Sequence, residues 1–550
     1  MATQKFYLFG DAPSTAIEIL VGEKGDLKAL QTTLAATFHI AGKQEVGFQN
    51  DSKALGSLEE VLDSQEPVAI TLDGGKVREI QGPEGLPIVG SFYEIYPDHL
   101  GNHDRLFKQY GSVIKTTSMG KTIYLTNDPA VSVLAFNESK HFTKKITENH
   151  PLYGIKDNTA IFLGDTETAN WAAGHKFIPP CMSPKAVRHY TPMMQECVRD
   201  SFSVFDELDS RNESWNVYQY MLKLASGFIG KIVLGMDFGH MDSVDAPLHS
   251  LVSSIATLLS LNKKVTSRGQ WYASLPFGDP QKLRNLRKSL FSALAVEVDK
   301  ARLTVGGDLQ LHDAALEAKC VLDYLLRAVD SQGEKLNIDL VYSNIVVVAA
   351  AGFTTTSSLL SWLLYSVVNY PGQQERLLQE LVDHGINEKT QWTPELSSSL
   401  TYLDSFIKET QRLHNPSYQP GRTSKTEVIL PGGYRLPPNE VVVPALHAIH
   451  QNPKIWRDPQ RFEPDRWSTE EVKNRPAGSY LPFATGPRGC IGFNLALAEV
   501  KVLLPELLYR YEFSRDGDEA VQYDPEFQLI RPVNLYVRAK KRTSWPEPSK

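Results

Sequence analysis

One cysteine in this chain stands where a thiolate could form and be used. Phe483-Ala484-Thr485-Gly486-Pro487-Arg488-Gly489-Cys490-Ile491-Gly492 reads as a stiff, glycine-punctuated loop running into a helix from Phe493 to Tyr509. Gly486, Gly489 and Gly492 permit positive φ and close approach of backbone to a ligand. A thiol at a helix N-terminus, beside an arginine, is pushed towards thiolate, the form that ligates metals. A lone cysteine of this kind is more often a buried structural residue, so the surrounding pattern has to decide. Ala351-Gly352-Phe353-Thr354-Thr355-Thr356 falls within a predicted helix, where the Thr355 hydroxyl can bond the Ala351 carbonyl one turn back and bend the helix. Trp171 and His175 are four apart and share a helix face, as do Glu409 and Arg412, three apart. If exposed, the latter pair would contribute only about 0.2–0.5 kcal/mol.

Phe483, Gly486, Arg488, Cys490 and Gly492 together resemble the cysteine loop of the cytochrome P450 family, and the resemblance continues from about residue 81 onwards. It implies that Cys490 is the proximal thiolate ligand of a haem b iron. Residues 351–356 resemble the oxygen-binding stretch of the family's long distal helix, usually Ala/Gly-Gly-x-Asp/Glu-Thr-Thr. By that resemblance Gly352 would open space above the haem and Thr355 would deliver protons, while Thr354 stands where an acid is usual. Trp171-Ala172-Ala173-Gly174-His175 resembles the family's Trp-x3-Arg, which supplies donors to a haem propionate. His175 takes the Arg position, as in the soluble fatty-acid hydroxylases that resemble the bacterial self-sufficient enzyme. Arg422, in Pro420-Gly421-Arg422, would serve the second propionate, and Arg488 would help to anchor the first. Glu409 and Arg412 would be buried and joined by Arg466 of Phe462-Glu463-Pro464-Asp465-Arg466-Trp467, a structural triad locking the core during haem incorporation.

The elements that must position these residues are mainly helical. A run from about Asp339 to Asn369 would span ~46 Å as one helix. Gly352 and the hydroxyls of Thr354 to Ser358 argue for a buried core helix rather than a membrane span. Val428–Leu430 and Val441–Pro444 are strand-like, separated by a Pro431-Gly432-Gly433 turn. The expected fold is therefore mainly α with small β-sheets, that of a cytochrome P450. Residues 1–80 read differently, as a small α+β module ahead of it. Strand-like Phe6–Phe9 and Ala16–Val21, a helical Leu27–Phe38 and strand candidates at Glu45–Phe48 and Val68–Leu72 give the β-β-α-β-β order of a β-grasp, ubiquitin-like domain. It carries no catalytic constellation and reads as a packed extension or as a module for self-association or partner docking. The Pro- and Gly-rich 81–90 marks the break, residues 81–540 form the haem domain, and 541–550 read as a disordered tail.

Composition excludes several classes. A net charge of −7 over 550 residues gives no reason to expect a nucleic-acid partner. The four cysteines, Cys181, Cys197, Cys320 and Cys490, fit neither a zinc site nor a disulfide framework. Charged residues Asp11, Glu18, Glu23, Lys24 and Asp26 rule out a signal peptide or membrane anchor at the start, so a soluble, cytoplasmic protein is expected. The resemblance implies a haem-thiolate monooxygenase acting with O2 on an apolar small organic substrate. No reductase domain follows residue 540, so electrons are expected from a separate NADPH-dependent reductase. The alternatives are a haem-thiolate isomerase or peroxygenase, suggested by Thr354, and a non-catalytic haem sensor. The pocket loops, about Leu152–Gly164 and Tyr418–Gln419, name no substrate.

Overall fold

Alternating apolar runs in the first 72 residues pair into one mixed sheet. Strands β1 (Ala2–Leu8), β2 (Ile17–Val21), β3 (Val46–Asn50), β4 (Lys53–Leu55) and β5 (Val68–Leu72) take the order β2-β1-β5-β3-β4. β1 and β5 are parallel, and the other neighbours are antiparallel. In β1, Gln4, Phe6 and Leu8 face inward while Thr3 and Lys5 face solvent, the period-two pattern of a half-buried strand. Helix α1 (Leu27–Thr37) starts at Asp26, whose carboxylate accepts from the Ala29 N–H at 2.7 Å. Its Leu30 and Leu34 close the apolar cluster of Phe6, Phe48, Val61 and Ile70. This is the β-grasp arrangement expected; β4 and a short helix, Leu58–Leu62, add to the expected elements.

The chain is described by a computed structural model over residues 2–21, 26–51, 53–155, 159–417 and 420–549. The expected pocket loop at Tyr418–Gln419 lies outside the described residues. Two compact units emerge, one of Met1–His150, Gln419–Ile449 and Thr485–Pro487, the other of Pro151–Tyr418, His450–Ala484 and Arg488–Lys550.

In the first unit the N-terminal module is joined to strands from far along the chain. Strand β6 (Arg78–Glu79) pairs in parallel with Tyr434–Leu436, which forms a hairpin with Val428–Leu430. The Ala41 N–H donates to the Ile429 carbonyl at 2.9 Å, and the Ile429 N–H to the His39 carbonyl at 3.0 Å. Ile429 is fully buried and belongs to the same cluster as Phe6. Arg435 reaches Asp11 at 2.6 Å, Glu427 at 2.9 Å and Glu79 at 3.3 Å. A second sheet runs β7 (Val113–Ser118), β8 (Lys121–Thr126), Val441–Pro444, Arg422–Ser424 and β9 (Phe142–Thr143).

The second unit is helical. Its axis is the helix Ile338–Asn369, capped by Asn337, whose side chain accepts from the Asp339 N–H at 2.8 Å. It ends two residues before Pro371, where the pre-proline restriction stops a helix. Among the described residues it is the one helix long and apolar enough to cross a membrane, but 72% of its most apolar stretch is buried inside the protein. It packs against the helices Val217–Ile229 and Phe493–Arg510. The C-terminal residues correct an expectation. Although irregular, they are docked: the Trp545 indole donates to the Tyr509 carbonyl at 2.9 Å, and the Ser549 N–H donates to Asp383 at 2.7 Å.

Candidate active site

Cys490 sits between two backbone anchors. Its N–H donates to the Phe483 carbonyl at 2.9 Å, and the helix Phe493–Arg510 starts three residues later. Gly486 adopts φ +74°, and a Cβ there would lie 2.4 Å from the Phe136 carbonyl oxygen, so only glycine fits. Cys490 alone of the four cysteines is exposed, yet protein surrounds its sulfur deeply enough that burial pushes the thiol pKa up, against a lowering hydrogen bond from Gly492. The two facts agree for a side chain at the floor of a concavity. They correct the expectation that the helix terminus and arginine alone favour thiolate; desolvation wins, and a bound metal would be needed to strip the proton. On the same helix Glu499 is fully buried with neither carboxyl oxygen hydrogen-bonded, and burial raises its pKa well above the carboxylate range.

Arg488 joins the expected residues into one cluster. Its guanidinium lies 4.7 Å over the Trp171 ring, which stacks on His175 at 4.6 Å. It donates to the Thr166 hydroxyl at 3.0 Å, to the Ile161 carbonyl at 2.6 Å and to the Gly164 carbonyl. Asn344, a buried residue on the long helix, accepts from the Ile161 N–H at 2.9 Å. Residues 161–166 thus tie the cysteine loop to the long helix, a link sequence reading missed because it is made through backbone carbonyls. The Trp171 indole N–H is buried with no hydrogen-bond partner, while His175 is exposed on the same face. A buried donor without an acceptor is costly; beside an exposed imidazole and an arginine it fits a ligand carboxylate.

The hydroxyl-rich turn of the long helix is not uniform. Thr354, Thr355 and Thr356 donate to Ala350, Ala351 and Gly352 carbonyls at 2.7, 2.9 and 2.9 Å. Thr354 is 3% exposed, whereas Ala351 is exposed and Thr355 half-buried, so Ala351 and Thr355 mark the open stripe of an otherwise buried helix. A Cβ on Gly352 would lie 2.7 Å from Ile229 Cδ1, the tip of a side chain on the helix Val217–Ile229.

The Glu409, Arg412 and Arg466 side chains meet as expected. Glu409 is fully buried and accepts from Arg412 Nε and Nη2 at 2.9 and 3.0 Å, Arg466 Nε at 2.9 Å, the Glu463 N–H at 2.9 Å and the Trp467 indole at 3.1 Å. In the first unit Arg422 is 1% exposed and paired with Glu138 at 2.8 Å, a partner that sequence reading did not supply. Buried Lys121, Lys144 and His150 stand near it. Burial, then Lys144, push the His150 pKa down to about 3, and burial takes Lys121 down to about 8. His150 is therefore neutral, and the cations here are Arg422, Lys121 and Lys144, which suit an anionic ligand group.

The sequence model described as Cytochrome P450 matches residues 80–537. The cytochrome P450 monooxygenase alnD of Emericella nidulans is 48% identical over 550 residues, 99% of both chains. The bifunctional cytochrome P450/NADPH–P450 reductase ascE of Acremonium egyptiacum is 26% identical over 84% of this chain but only 43% of its own length. Among solved structures, the cytochrome P450DA heme domain superposes with a TM-score of 0.74 at 20% identity, over 85% of this chain and 98% of that one.

Proposed function

Because the chain belongs to the cytochrome P450 family, we propose that Cys490 ligates the iron of haem b and that the enzyme inserts oxygen into, or oxidatively couples, an apolar small organic substrate. The family makes it a haem-thiolate oxidoreductase, and the 48% identical monooxygenase sets the sensor reading aside. A separate NADPH-dependent reductase is the proposed electron donor; the fused relative carries that partner in its own chain. We also propose that the enzyme is soluble and cytoplasmic; among the described residues the one span-length helix is 72% buried inside the protein in its most apolar stretch. A docking role for residues 1–80 is proposed from their separate β-sheet module, whose edge strand β2 has a neighbour on one side only.

The observation that carries the reading is the accessible but deeply set Cys490 in its five-residue signature. Haem, when bound, supplies the iron at which O2 takes up two electrons and two protons, one oxygen going to substrate and the other to water. Cys490 gives up its thiol proton on ligation. Trp171, His175 and Arg488 would hold one carboxylate of the cofactor, and Arg422 with its cationic neighbours would take the other. Thr355 lies on the open stripe of the long helix, where its hydroxyl can release Ala351 and pass a proton through ordered water. Thr354, buried and bonded to Ala350, positions the helix instead.

The reduced protein with carbon monoxide should show the red-shifted Soret band of thiolate ligation, and Cys490→Ala should abolish it; survival of that band in the variant overturns the assignment. A peroxide-using enzyme is the second reading, favoured by the burial of Thr354 where an acid is usual. Turnover with NADPH and a reductase, and increased peroxide release in Thr355→Ala, are expected of the monooxygenase. Product formed only from peroxide, and indifferent to Thr355→Ala, would establish the second reading.

A further inference from the structure

Ser343, Val347, Ala351 and Thr355 stand four apart on the long helix, where side chains at that spacing are surface neighbours. They make one ridge, inclined to the helix axis as such rows are. All four are at least partly open, whereas Asn344, Val348 and Thr354 beside them are buried. The ridge changes chemistry along its length. Val347 and Ala351 offer alkyl surface, and the Thr355 hydroxyl is bonded to the Ala351 carbonyl. At the other end Ser343 Oγ accepts from the Thr159 hydroxyl at 3.3 Å. Ser343 lies eight residues from Ala351 and twelve from Thr355, ~12 and ~18 Å along the axis.

The segment 159–164 runs from this hydroxyl pair to the cysteine loop. Thr159 meets Ser343, the Ile161 N–H donates to Asn344 at 2.9 Å, and the Ile161 and Gly164 carbonyls accept from Arg488, two positions before Cys490. The ridge therefore has a wall tied to it at the Ser343 end and to the Cys490 loop at the other. The hydroxyl pair decides which end group such a site takes. Serine and threonine hydroxyls both donate and accept, and they carry no charge. Their 3.3 Å contact is long beside the ~2.7–2.8 Å usual for O–H···O, so the Thr159 hydroxyl can turn to a better partner. A neutral hydroxyl or carbonyl suits them. A carboxylate only accepts, and it meets no counter-charge in either residue.

We propose that Ser343 and Thr159 set specificity by holding the neutral polar end, a hydroxyl or carbonyl, of an elongated apolar substrate whose other end lies at Ala351 and Thr355. What happens at that other end rests on the monooxygenase reading; recognition of the polar end does not. The haem-loaded whole protein is titrated with 1-decanol, decane and decanoate, by equilibrium dialysis and by the Soret shift, in the parent, Ser343→Ala and Thr159→Val. The parent should bind 1-decanol about tenfold more tightly than decane. Either variant that folds and takes up haem should lose most of that preference while still binding decane as the parent does. Decanoate should bind no more tightly than decane. Failure of 1-decanol to bind, or equal binding of alcohol and alkane by the parent, overturns the site. Equal loss of both ligands in the variants overturns it too, as the mark of a merely structural contact, and a preference for decanoate over 1-decanol overturns the neutral end group. With NADPH and a reductase, oxidation of 1-decanol should fall on carbons remote from its hydroxyl and spread along the chain in the variants; oxidation of the parent's 1-decanol next to the hydroxyl overturns the orientation. Absence of turnover would strike the monooxygenase reading alone, because the titrations do not depend on it.

Discussion

Removing the charge of Glu409 is expected to be among the most destabilising single changes available in the helical unit, and more so than removing Arg466. Glu409 faces two buried guanidiniums and takes five donors. Glu409→Gln leaves Arg412, fully buried, and Arg466, 5% exposed, as neighbouring cations without a central counter-charge. Loss of one partner from such a buried network costs about 3–5 kcal/mol, a roughly 100- to 4,000-fold change in the unfolding equilibrium. Arg466→Met leaves Glu409 still paired with Arg412, and Glu463, 3.6 Å from Arg466, is partly hydrated already. Its cost should be nearer ~2 kcal/mol, from the Arg457 carbonyl that loses its donor, while the Arg461 carbonyl keeps Arg412 at 3.1 Å. Urea unfolding followed by fluorescence, with haem content measured in parallel, should show the midpoint falling by about 1–1.7 M for Glu409→Gln if m is near 3 kcal/mol/M. Arg466→Met should fall by about half that. Equal losses, or a Glu409→Gln cost under ~1 kcal/mol, would refute the idea that the carboxylate neutralises a buried cationic pair.

Gly486→Ala forces a left-handed φ on a β-carbon and drives it into the Phe136 carbonyl, so haem retention should fall sharply while Gly278→Ala, also at positive φ but with nothing within 4 Å, should leave retention near the parent value; equal behaviour would remove the steric argument. Glu499→Gln should stabilise the protein above the ordinary carboxylate range. Its folded pKa is raised by burial, so the stability it contributes is complete at low pH and is lost as pH rises from the unfolded value near 4.5 through the folded one. A Gln variant should remove that slope, and a parallel pH–stability curve for parent and variant would count against a protonated Glu499.

Much of the architecture was legible because its signals are local. The strands of the first sheet follow from alternation, and the long helix from its apolar run between Asn337 and Pro371. Glu409 and Arg412 are a helix turn apart, so their pairing needs no knowledge of the fold. The phase of the threonine run was not legible: successive helical residues turn by about 100°, and only packing against Val217–Ile229 decides that Thr355 is on the open stripe and Thr354 is not. Arg422 and Glu138 lie 284 positions apart (422 − 138), and no spacing rule reaches that far. The state of the Cys490 thiol was misjudged for a related reason. Helix terminus and arginine are visible in the sequence, whereas the protein atoms that desolvate the sulfur come from elsewhere.

The joining of β6 to Tyr434–Leu436 also fixes an order of events during synthesis. Strands β1 to β5 are complete by Leu72, and their sheet can form as those residues leave the ribosome. Arg78 must wait for Tyr434, 356 positions later (434 − 78), which at ~5–20 residues per second is a delay of roughly 20–70 s. Until then Ile429 is missing from the first apolar cluster, and Asp11 has no Arg435. A nascent chain arrested before residue 428 would carry a nearly finished first sheet with one apolar gap, an early-folding N-terminus whose last core residue arrives after the long helix has been made.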